Sequence, residues 1–80
     1  MIAPEARLGN DIARQFAHLP ADEAAEAVAR HIESFWDPRM RAQLRALAEA
    51  GDDALDPVLL TAAGHVHERA ARRETAAQPE

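Results

Sequence analysis

Few side chains in this 80-residue chain have the type and spacing to do chemistry, and the four histidines come first. His18 and His31 fall on different predicted helices, and His65 and His67 are two residues apart, about 200° around a helix, so no pair presents two nitrogens to one ion from one face. There is no cysteine, no His-x-x-x-His pair and no carboxylate cluster converging on a histidine. The expectation is that this chain binds no metal and that its histidines are solvated or flank the core. Nucleophilic catalysis needs a hydroxyl beside a base and its orienting group. Ser34 and Thr61, the hydroxyls within the predicted helices, have neither. The carboxylates Asp52 and Asp53 sit in a loop that offers no deep pocket to raise a pKa, and there is no glycine-rich phosphate loop. The chain is expected to hold no catalytic residue and no cofactor.

The segment with the most distinctive chemistry is Phe35-Trp36-Asp37-Pro38-Arg39-Met40-Arg41. It contains the only tryptophan and, with Arg45, gathers three arginines in an acidic protein. On a helix Arg41 and Arg45 stand one turn apart beside Met40 and Leu44, so aromatic and guanidinium groups can share a surface. Trp and Arg are the types most enriched at binding hot spots. On this reading Trp36, Arg39, Met40, Arg41 and Arg45 form a partner contact, helped by Leu60. The competing reading has Trp36 and Phe35 filling the corner between two helices while the arginines pair with Glu33, Asp37 or Glu49.

The elements that must position these residues are helices throughout. Leu8, Ile12, Phe16 and Leu19 recur at helical spacing between Glu5 and Leu19, with Arg7, Asp11 and Arg14 on the opposite face. Pro20 stops that helix and suits the first turn of a second, from about Ala21 to Trp36, whose face is Ala21, Ala25, Val28, Ile32 and Phe35. Asp37-Pro38 caps and opens a third helix, from Pro38 to about Ala50, with Met40, Leu44, Leu47 and Ala48 on its face; Gly51 ends it. Asp56-Pro57 repeats the cap and opens a fourth helix to roughly Arg72, with Leu59, Ala63, Val66 and Ala70 along one side. That stripe is thin and Gly64 weakens it further, so the fourth helix has little reason to be stable alone, and an external surface is one source of support for it. Residues 1–72 form one helical domain and 73–80 a frayed tail. The fold class expected is all-α, a compact bundle of three to four short helices with Ile12, Phe16, Val28, Ile32, Phe35, Leu44, Leu47 and Leu59 in the core.

Composition sets outer limits. A domain this short buries only about 60–65% of the surface its unfolded chain exposes, and without disulfides a partner surface becomes an attractive source of stability. Net charge is −5, which argues against a nucleic-acid-binding field. The N-terminal residues lack the features of an export signal and the apolar stretches are short, so the chain reads as cytoplasmic.

The sequence resembles the delta subunit of the soluble, NAD-dependent, molybdenum-containing formate dehydrogenases. The residues that carry the likeness are Asn10-Asp11-Ile12-Ala13-Arg14-Gln15-Phe16, Ala29-Arg30-His31-Ile32, the Phe35 to Arg41 run, and Leu55-Asp56-Pro57-Val58, within about Leu8 to Val66. The resemblance implies an assembly whose alpha subunit carries a molybdenum bis-guanine-dinucleotide cofactor and iron–sulfur clusters, with beta and gamma subunits passing electrons to FMN and NAD. Delta itself carries none of these groups. The function so implied is a non-catalytic accessory subunit that binds and stabilises the alpha subunit, with assistance to assembly or cofactor insertion as a variant. The alternative from another class is a free-standing helical adaptor or regulator binding nucleic acid through Arg39, Arg41 and Arg45.

Overall fold

Three of the four helices start on a proline, whose fixed φ suits the first turn and whose missing N–H costs nothing there. The computed structural model describes residues 3–77 and arranges them as α1 (Pro4–Gln15), α2 (Ala21–Phe35), α3 (Pro38–Glu49) and α4 (Pro57–Ala77). There is no strand among the described residues, so the chain is all-α.

Local chemistry accounts for the boundaries. The Asp37 carboxylate accepts from the Met40 N–H at 2.8 Å, and Asp56 accepts from the Val58 N–H at 2.8 Å, as N-caps do. At the end of α3, Gly51 takes φ 71°. The Asp52 N–H then reaches the Leu47 carbonyl and the Gly51 N–H the Ala48 carbonyl, each at 3.1 Å. That pair of bonds is the left-handed helix ending that glycine permits. Asn10 of α1 holds the loop that follows: its Nδ2 donates to the Ala54 carbonyl and its Oδ1 accepts from the Asp56 N–H, both at 2.8 Å.

Two boundaries differ from expectation. α1 ends at Gln15, short of Leu19, where the Phe16 N–H turns back to the Ala13 carbonyl at 3.2 Å. Leu19 precedes a proline and is driven from helical geometry. α4 continues to Ala77, past the expected end at Arg72, so the tail expected to fray from Arg73 is helical as far as Ala77, and residues 78–80 lie outside the described residues. Its alanines favour helix, and Arg73 approaches Glu33 of α2 at 3.8 Å.

The core gathers Ile12, Val28, Ile32, Trp36, Leu44, Leu55, Leu59 and Val66 with several alanines, and Phe16, Met40, Leu47 and Val58 pack against it half-buried. α4 contributes Leu59, Ala62, Ala63 and Val66 to this core, while Leu60 stays exposed. Two expected faces are rotated. On α1 the buried residues are Ala6, Gly9, Ile12 and Ala13, while Leu8 is exposed. Gly9 sets this, because a Cβ there would lie 2.6 Å from Leu59 Cδ2, so only glycine lets α1 and α4 approach so closely. On α2 the buried set is Ala24, Ala25, Val28, Ala29 and Ile32, continued by Trp36, whereas Phe35, expected in the core, is 74% exposed.

Candidate partner-binding site

The Phe35 to Arg41 segment is the junction between α2 and α3, and its two aromatic rings part there. Trp36 leaves helical geometry at φ −92°, ψ 139°, and its indole is 5% exposed within the core. It is therefore not available as the exposed anchor expected for a partner. The aromatic that faces outward is Phe35, whose ring lies 4.7 Å from that of His31. The spacing 28, 32, 36 carries the signal for this outcome: Trp36 lies four residues beyond Ile32 and continues its row, while Phe35 falls one position to the side, over His31.

The arginines divide as well. Arg41 is half-buried and its Nη1 donates to the Trp36 carbonyl at 2.6 Å, supplying a partner for an orphan acceptor at the end of α2 and fixing the guanidinium in place. Arg45 is exposed and pairs with Glu49 at 2.9 Å. Arg39 is exposed and has no ion pair among the described residues. Met40 is half-buried against the core, and Leu60 is 46% exposed on α4.

Of the expected contact residues, the structure brings Arg41 and Arg45 into one feature, a groove of about 200 Å³ between α3 and α4. Leu44, Ala63 and Val66 are its buried floor, and Arg41, Arg45 and His67 are the polar side chains that line it. Arg39, Met40 and Leu60 do not line it. His67 and Ala70 complete the groove from α4; only the helical spacing 63, 66, 67, 70 hinted at them.

A second polar cluster ties α4 to α2. Arg69 donates through Nη1 to Glu33 Oε1 at 2.8 Å and through Nη2 to Glu26. Glu26 also accepts from Arg30 Nε at 2.9 Å. The Arg30 bond, then that of Arg69, holds the Glu26 carboxyl below its ordinary range against an opposing desolvation. Glu33 first and Glu26 second raise the pKa of Arg69. Among the described residues no three His, Asp or Glu side chains converge on a metal-sized site. No described helix is long and apolar enough to cross a membrane.

Fold and surface together define a small all-α bundle presenting an apolar groove whose α3 wall carries Arg41 and Arg45. The family model described as NADH-dependent formate dehydrogenase delta subunit FdsD matches residues 6–63, from α1 into α4, and the chain belongs to that family. Comparison with curated proteins and with solved structures finds no significant match.

Proposed function

We propose that this chain is the accessory delta subunit of an NAD-dependent molybdenum formate dehydrogenase, binding the catalytic alpha subunit and stabilising it without supplying a catalytic residue. The observation that carries this reading is the family match, which runs through α1, α2, α3 and the start of α4. Electron transfer belongs to partner subunits carrying the molybdenum cofactor, iron–sulfur clusters and FMN, and acts on NAD there. On delta, the contact uses the basic side of α3, with Arg39, Arg41 and Arg45, and the exposed apolar side chains Phe35 and Leu60. Trp36 and Met40 support it from within: the indole anchors the α2–α3 junction, and its carbonyl aims Arg41. Exposed Phe35 takes the anchoring role that a buried Trp36 cannot.

The test is affinity purification of the tagged chain from its native host. Large subunits containing molybdenum, iron and flavin, with formate-dependent NAD reduction, should co-purify. Recovery of the chain alone, or with nucleic acid, overturns the reading. Adding delta to a cofactor-replete enzyme purified without it should restore thermal stability, which separates stabilisation from assistance to cofactor insertion.

A further inference from the structure

Resting on that functional reading, we propose that the α3/α4 groove seats an acidic, aliphatic segment of the catalytic partner, with an aliphatic side chain on its floor and neighbouring carboxylates on Arg41 and Arg45. Size, charge and preorganisation carry the argument. The groove encloses about 200 Å³ over Leu44, Ala63 and Val66, and a dry cavity of roughly 150 Å³ is already enough to hold a benzene. A leucine-sized side chain therefore fits without rearrangement of the bundle.

Charge selects what flanks that side chain. The protein carries −5 overall, yet α3 sets Arg39, Arg41 and Arg45 against Glu49 alone. Arg41 is held by the Trp36 carbonyl through one nitrogen, so its remaining donors are oriented before any partner arrives, which lowers the ordering cost of binding. Arg45 shares its charge with Glu49 in a pair whose side chains are 53% and 62% exposed. A pair so exposed contributes little and exchanges readily for a better-buried carboxylate. Nucleic acid fits this groove poorly, because its floor is apolar and the surrounding protein repels phosphate.

The test titrates the formate dehydrogenase complex, purified without delta, with the full-length chain and two variants. Arg45→Glu reverses the wall charge at an exposed site, and Ala70→Leu occupies the groove with the chain's own side chain. Circular dichroism melts establish that both remain folded. Arg45→Glu should weaken binding about tenfold at low salt, with the loss shrinking as ionic strength rises. Ala70→Leu should weaken it to a similar extent with little salt dependence. A photo-crosslinker replacing His67 should capture a catalytic-subunit peptide bearing an aliphatic residue beside Asp or Glu.

Wild-type affinity in both variants overturns the groove proposal while leaving the subunit reading intact, as does a crosslink to a catalytic-subunit peptide without carboxylates; a crosslink to a second copy of this chain or to nucleic acid overturns the groove proposal as well. Failure of the wild-type chain to bind the complex sinks the functional reading itself.

Discussion

One helix, α4, makes two kinds of interface. Against α2 it forms an extensive seam, because Val28, Ala29 and Ile32 of α2 share one buried core with Leu59, Ala62, Ala63 and Val66 of α4. Small and branched residues in successive turns let the two helices pack closely, with a shallow polar depression lined by Glu26, Glu33 and Arg69 along the edge. Arg69 then straps the edge to Glu26 and Glu33. Against α3 the same helix leaves a groove, because α3 buries only Leu44 and places Arg41 and Arg45 where a seam would need apolar bulk. Long cationic side chains keep their heads in water and cannot close a joint. What separates a structural contact from a surface open to a partner is thus the residues beside the central leucine.

Trp36→Ala should have the largest effect, lowering the stability of the isolated chain by about 3–5 kcal/mol. Hydrogen exchange would locate the damage: α3 amides should lose protection before those of the α2/α4 seam. Equal loss in both would mean that seam and groove are not independent. Gly9→Ala presses a methyl group onto fully buried Leu59 and should destabilise by about 1–3 kcal/mol in a denaturant titration, acting beneath both interfaces. Arg69→Met acts on the seam, removing charge-assisted bonds to Glu26 and Glu33, and should lower the melting temperature by less than Gly9→Ala does.

That variant also sharpens the pH dependence. The Glu26 carboxyl lies below its ordinary 4.5 in the fold, so its contribution is complete above pH 4.5 and is lost as pH falls through the depressed value. Thermal melts of the wild type should fall in that acidic window, and Arg69→Met should fall less steeply. Phe35→Ala should have the smallest effect on the chain itself, within about 0.5 kcal/mol, while weakening association with the catalytic subunits. A large drop in melting temperature would place Phe35 in the core after all.

Much of the helical order was legible because it is local chemistry. Pro38 and Pro57, each preceded by a capping aspartate, fixed two helix starts, and Gly51 fixed a helix end. Among the expected contact residues the sequence located the right segment but misassigned its aromatics. Burial of Trp36 and exposure of Phe35 depend on which of two adjacent rows faces α4, a rotation of about 100° that a helical period tolerates either way. The extension of α4 to Ala77 was missed for a related reason: its support from Glu33 comes from another helix.

The amino-acid sequence by itself determined the all-α class, the proline-marked helix starts and the concentration of arginine after Trp36, because propensity, capping and charge act over a few residues, whereas it left the helix count at three to four. The tertiary structure alone decided that Gly9 yields to Leu59, that Asn10 pins the α3–α4 loop, that Arg69 seals one side of α4, and that Arg41, Arg45 and His67 share a groove on the other. Each of these joins residues far apart along the chain, and such a meeting is fixed only when the packing of all four helices is satisfied at once.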